Sequence, residues 1–213
     1  MEKPFLLSAR QLYYLGAVLK AQYIDFAYVT AVGSILENFS SYEAGIRDEL
    51  IGEGYMTEDF SGNIEVSDEL QIMLRPLFFS GVEATLEIVG VGEFEALQMY
   101  RYHIGDNKII QVTNIDTQLE LKEVGPEDVK AVVESILPDT YTNADAPKIE
   151  EYEPEKISLM ICVKNAKLGE KSSAKVFVKM NQILYEESPD DVIRSVSRDE
   201  FIQQTEDILL EVM

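Results

Sequence analysis

The stretch "ALQMYRYHIGDNKIIQV", Ala96 to Val112, alternates along its length and breaks once, at Gly105 to Asn107. Side chains that alternate with period two line opposite faces of a strand, and a Gly-Asp-Asn break between two such runs is a hairpin turn. The same period extends outward, through "ATLEIVGVG" from Ala84 on one side and "QLELKEV" from Gln118 on the other. An antiparallel meander is therefore predicted at the centre of the chain.

Upstream the period lengthens to that of helices. Leu12, Leu15, Gly16 and Leu19 share one face of a helix that Ser8 can cap, and the apolar run Tyr23 to Leu36 is expected to continue it. Ser40 and Glu43 have capping-box spacing ahead of Tyr42, Ile46 and Leu50, and that helix should stop at Gly52 and Gly54, the latter suited to a left-handed end. After the "DFSGN" turn a short strand "IEV" leads to Ser67, which should cap a helix carrying Leu70, Met73, Leu74 and Leu77 and limited by Pro76.

Downstream, Gly125 and Pro126 open a helix with Val129, Val132, Val133 and Ile136 turned inward. Residues 138–156 are polar, acidic and rich in proline, and read as a surface connection. Strands "KISLMICVKN", "SAKVFVKM" and "QILYEE" follow, then "VIRSV" and a last helix boxed by Ser197 and Glu200. The whole reads as a single α+β domain, residues 1–213, with helices against an antiparallel sheet. Its two halves would be 1–137 and 157–213, joined by the acidic linker 138–156.

A repeat supports the two halves. With a shift of 72 residues and no gap, "LKEVGPEDVKAVVESIL" (121–137) lies over "IRSVSRDEFIQQTEDIL" (193–209), matching Val124 to Val196, Asp128 to Glu200, Ile136 to Ile208 and Leu137 to Leu209. Each copy runs from a strand into a capped helix. The pattern is that of a pseudo-two-fold arrangement of two strand-hairpin-helix units sharing one sheet.

Charge decides what the stretch Ile46 to Leu74 is not. Helix, Gly-Glu-Gly break, polar crossing and second helix have the spacing of a winged helix-turn-helix, but only Arg47 and Arg75 are basic between Ser40 and Ser80. The chain as a whole carries a net charge of -21. A DNA reader needs a basic footprint, so a winged-helix regulator is disfavoured and no nucleic-acid partner is expected. An acidic surface also repels anionic lipid and steers basic protein partners. No apolar run reaches the length of a membrane span, and the N-terminal residues lack the continuous apolar centre of a signal peptide, so no membrane insertion and a cytoplasmic location are expected.

Catalytic patterns are missing as well. The single cysteine, Cys162, lies in the apolar run "ISLMICV", where a buried, inert thiol is expected, and the single histidine, His103, is a mid-strand residue facing solvent or a partner. Glu186 with Glu187, and Asp190 with Asp191, read as solvated turn charge. No zinc, calcium, dinucleotide or phosphate-loop spacing occurs. The expectation is a non-enzyme with no catalytic, metal or cofactor residues.

The order of elements, with "LIGEGYMTEDFSGNIEVSDELQIMLRPLFF", the meander "MYRYHIGDNKIIQV" and the strand-to-helix "LELKEVGPEDVKAVVESILP", resembles the EspG family of cytosolic chaperones for ESX, or type VII, secretion. That resemblance implies a pseudo-two-fold α+β fold that grips a secretion substrate or substrate pair, and makes the Gly-Glu-Gly elbow scaffold. The alternative function is an acidic, toxin-neutralising protein of the immunity type, for which a basic toxin is the complement. In either case the partner is a protein. Its expected docking face is the central hairpin, where Gln98, Tyr100, Tyr102 and Ile104 share one side while Leu97, Met99, Arg101 and His103 share the other. The tyrosine side, Tyr100, Tyr102 and Ile104, is the partner-binding candidate, unless helices cover both sides.

Overall fold

The computed structural model describes residues 4–25, 27–28, 39–91, 97–138, 141, 148–187 and 192–212. It divides into two compact units, Met1–Gly81 with His103–Glu123, and Val82–Tyr102 with Val124–Met213. The dividing points fall inside the meander rather than in 138–156. Among the described residues the fold is α+β, with nine strands in one sheet and five helices.

In the first unit the chain enters through β1 (Phe5–Ser8), which pairs antiparallel with β7 (Gln118–Val124), Phe5 opposite Leu121. The sequence reading did not include this strand. Ser8 then caps α1 (Ala9–Val18) with a complete box: its hydroxyl accepts from the Gln11 N–H, and the Gln11 side chain accepts from the Ser8 N–H.

The expected continuation of α1 through Tyr23 does not occur. Lys20 turns left-handed at φ 57°, and the Ala21 N–H closes back on the Gly16 carbonyl at 2.8 Å, a C-terminal stop that no glycine announces. Residues 21–25 are not helical, Ala27 and Tyr28 are, and the rest of the apolar run to Leu36 lies outside the described residues.

The second helix, α2 (Phe39–Gly52), ends as its sequence indicates. Gly54 takes φ 77° while the Gly54 and Tyr55 N–H groups bond back to the Ile51 and Leu50 carbonyls. The expected cap Ser40 falls among residues whose side chains are not described.

A short hairpin of β2 (Met56–Glu58) and β3 (Ile64–Val66) then leads to α3 (Asp68–Arg75). Ser67 stands at its cap position but makes no side-chain cap bond. Pro76 ends α3 without straightening the chain: lacking an N–H, it breaks the regular bonding pattern, and Pro76–Ser80 continues as a wide π turn closed by left-handed Gly81. Gly105 packs against that turn so closely that an added Cβ would stand 2.8 Å from the Ser80 Cβ. Leu7, Leu12, Leu15, Ile46, Leu50, Leu70, Leu74 and Phe78 fill the core of this unit.

The meander is as predicted: β4 (Val82–Gly90), β5 (Leu97–Gly105), β6 (Lys108–Ile115) and β7, with Asp106 and Asn107 both at positive φ in the β5–β6 turn. It feeds α4 (Pro126–Ile136).

In the second unit β8 (Ile157–Lys167), β9 (Ser173–Met180), β10 (Ile183–Glu187) and β11 (Ile193–Ser195) lead to α5 (Arg198–Leu210). The strand order is β1-β7-β6-β5-β4-β8-β9-β10-β11, so from the antiparallel β4–β8 pair the chain winds out in the same sequence in both directions. The repeat carries through to burial. Leu121, Val124, Val129, Val133 and Leu137 are buried, and so are Ile193, Val196, Phe201, Thr205 and Leu209, each 72 residues on.

The connection 138–156 is less solvated than its composition indicates. In its described part Ile149 and Tyr152 pack on Met180, Tyr185 and Ile193, and the Ile149 N–H bonds to the Ile193 carbonyl at 3.2 Å.

Candidate functional site

Directly opposed residues of antiparallel strands point to the same side of a sheet, so the register of β4, β8 and β9 sorts their side chains into two faces. Ile88, Ile161 and Phe177 align across the three strands, as do Leu86, Val163 and Lys175. This face lies under α5. Phe177 meets Phe201 edge to face with ring centroids 5.0 Å apart, and the Asn165 amide donates to the Ile208 carbonyl at 2.8 Å.

The other rows are Glu87, Cys162 and Val176, then Val89, Met160 and Val178, then Thr85, Lys164 and Ala174. Here the sheet is covered at Thr85 and Val178, which are buried, and open between them. Val176 is 42% exposed, Lys164 and Ala174 are exposed, and Met160, Cys162 and Val89 are half-buried.

The first part of β5 extends this open face. Arg101 donates to the Glu83 carboxylate at 3.0 Å, and Glu83 shares its side of β4 with Thr85 and Glu87. Leu97, which is 62% exposed, and half-buried Met99 therefore project with Cys162 and Val176.

The tyrosine side of the hairpin likewise runs from an exposed residue, Gln98, to a buried one. Tyr102 is wholly buried, burial pushes its phenol above the usual tyrosine range, and its hydroxyl has no hydrogen-bond partner among the described residues. Of the sequence-predicted trio Tyr102 is buried, whereas Tyr100 and Ile104 are half-buried, as Met99 is on the other side. Period two showed that the strand has two faces. Both run from exposed residues, Leu97 and Gln98, to buried ones, Tyr102 and His103.

His103, expected to face solvent or a partner, does not face solvent. It is buried in the first unit, where its Nε2 lies 2.9 Å from the Tyr28 hydroxyl oxygen. Burial, and then the Glu87 carboxylate, push the Cys162 thiol above the ordinary cysteine range.

Glu186, read from sequence as turn charge, is buried beside Phe177. Its carboxylate is clamped by Lys175 at 2.9 Å and by Arg194, which also reaches Glu200 at 3.1 Å. Two cations compensate the desolvation of one carboxylate, and the ion set ties β9, β10 and β11 to α5. Asp190 and Asp191 lie outside the described residues. Among the described residues no group of three or more His, Cys, Asp and Glu could hold a metal ion, and no helix is long and apolar enough to cross a membrane.

The first unit presents one further exposed apolar group. Phe60 is fully exposed at the tip of the β2–β3 hairpin. Beneath it the loop is closed by Asp59, which accepts from the Ser61 N–H at 2.8 Å, the Asn63 N–H at 2.9 Å and the Asn63 amide at 2.7 Å. The hairpin occupies the position of a wing, but both basic residues nearby are engaged, Arg47 with Glu58 at 3.6 Å and Arg75 with Asp106 at 3.9 Å.

The backbone as a whole is similar to that of a solved structure, the Mycobacterium tuberculosis type VII secretion system chaperone EspG5 in complex with a PE25–PPE41 dimer. The TM-score is 0.64, and the match covers 99% of this chain and 97% of that one. The two share a fold. Sequence identity is 8%, so the likeness is one of architecture. No family model matches the sequence, and no curated protein matches it.

Proposed function

We propose that this chain is a non-catalytic protein-binding module that shelters an apolar segment of a client, in the manner of a cytosolic secretion chaperone. The observation that carries the reading is the open face of the second unit, where Leu97, Met99, Met160, Cys162 and Val176 line a sheet surface on a chain of net charge -21. An apolar patch bordered by charge is the usual form of a protein-docking surface. The fold shared with EspG5, solved with a PE25–PPE41 dimer bound, supports a client that is itself a secretion substrate or substrate pair.

The alternative, neutralisation of a basic toxin, draws on the α4 and α5 surface. Burial, and then the carboxylates Glu134, Asp207 and Glu127, hold Glu206 above the ordinary glutamate range against the opposing pull of Lys130. This marks a concentration of negative charge suited to a cationic partner.

The test isolates the protein that co-purifies with the chain from its native cells, and compares the affinity of that client for wild type, Val176→Asp and Leu97→Asp. Both positions are exposed, so the expected result is unchanged thermal stability with at least a tenfold loss of client affinity. Binding that is indifferent to both substitutions but collapses with added salt supports the toxin-neutralising reading instead.

A further inference from the structure

Within the first unit, β1, the elbow after α2, and α3 surround a groove of about 370 Å3, within the size range of ligand pockets. Its apolar wall is made by Phe5, Tyr55 and Ile72. The two rings lie with centroids 5.5 Å apart and planes inclined at 58°, and Ile72 is 45% exposed. Its polar lining is almost wholly acidic.

Lys108 is matched to Glu123 at 2.5 Å, which leaves Glu53 and Glu69 lining the groove with no basic partner among the described residues. Glu53 is also held in place. Gln11 is buried, its amide oxygen accepts the Ser8 N–H at 2.7 Å, and its amide nitrogen donates to the Glu53 carboxylate at 3.2 Å. The capping box of α1 thereby aims a buried donor at a groove carboxylate, which fixes where that negative charge stands.

We infer that this groove takes an arginine side chain of a protein partner. Aromatic faces beside two uncompensated carboxylates favour a cation over any neutral or anionic group. A guanidinium suits the arrangement better than an ammonium. Its plane stacks on a tilted ring, its paired N–H groups match a carboxylate, and its aliphatic stem fits against Ile72. The groove belongs to the first unit and the open sheet face to the second, so this inference and the proposed function stand or fall separately.

The experiment titrates the intact chain with acetyl-Leu-Arg-Leu-amide and follows backbone and methyl resonances by NMR. The same peptide with citrulline, a neutral isostere, or with lysine serves as comparison. Expected are shifts centred on Phe5, Tyr55 and Ile72, binding at least tenfold weaker for citrulline and several-fold weaker for lysine. Glu53→Gln, Glu69→Gln and Tyr55→Leu should each lower arginine-peptide affinity several-fold while thermal stability confirms the fold. Citrulline binding as well as arginine removes the charge argument, and lysine binding as well as arginine removes the stacking argument. Shifts centred elsewhere, or affinity unchanged in folded Glu53→Gln and Glu69→Gln together, overturn the assignment.

Discussion

Helices α4 and α5 occupy matching places in the repeat and bury matching positions, yet they are anchored differently. In α4 the inward residues are Val129 and Val133, and the cap is Gly125, whose N–H donates to the Asp128 carboxylate at 2.8 Å with no side chain to answer. In α5 they are Phe201 and Thr205, and Ser197 forms both halves of the box with Glu200. Arg198 in the first turn of α5 donates to the Glu134 and Leu137 carbonyls at the end of α4, 3.0 and 3.3 Å away. The comparison separates what the repeat requires from what each copy adds: it requires the buried register and a carboxylate at the third helical position, and leaves side-chain size and the capping group free.

The largest test of that separation is Phe201→Ala, which removes the ring packed on Phe177 and should cost about 3–5 kcal/mol in denaturant unfolding. Val129→Ala at the matching position removes fewer methylenes and should cost less. Equal losses would mean that the two copies share more of their packing than the aromatic pair indicates.

Next is Thr205→Val, which makes α5 resemble α4 at Val133. The Thr205 hydroxyl is buried without a hydrogen bond among the described residues. Replacing it by a methyl group of the same shape should raise stability by about 1 kcal/mol, seen as a higher Tm. A lower Tm would show that the hydroxyl is satisfied in solution.

Ser197→Ala should cost about 1 kcal/mol, and Gly125→Ala, at a cap position that favours glycine over alanine but has no side-chain bond to lose, should cost a few tenths less than that. Thermal melts of the two variants give the contrast directly.

The smallest expected effect is one of pH. The Ser197 backbone N–H, and then Arg194, hold the Glu200 carboxyl below the ordinary glutamate range. A carboxyl lowered by folding stabilises fully above its unfolded pKa, and that contribution fades as pH falls through the folded value. The Tm gap between wild type and Glu200→Gln should therefore be present at pH 7 and close on acidification below about pH 4. A gap that persists in acid would show that the charge of Glu200 is not what supports the cap.

What the sequence made legible is what local chemistry decides: the period-two meander, the Asp106–Asn107 turn, the left-handed Gly54, the serine cap at Ser8 and the serine box at Ser197. Features settled at long range were not legible. Strand β1 has four residues and finds its partner β7 more than a hundred positions on. Helix α1 stops at a left-handed lysine, a conformation that lysine composition does not announce. Glu186 looked like loop charge because the groups that permit its burial, Lys175 and Arg194, sit on neighbouring strands. Burial along β5 was not legible for the same reason: alternation is local, whereas the cover over Tyr102 and His103 comes from elements distant in the chain.

The hairpin tip at Phe60 has a consequence in evolutionary terms. Asp59 closes the loop through Ser61 and Asn63, and the phenylalanine ring stands in solvent above it. Folding is indifferent to which side chain occupies that position, so mutation can exchange the ring for any polar group at no cost to stability. The residue is a place where this protein's encounters with other molecules can drift or be reselected while the architecture beneath stays the same.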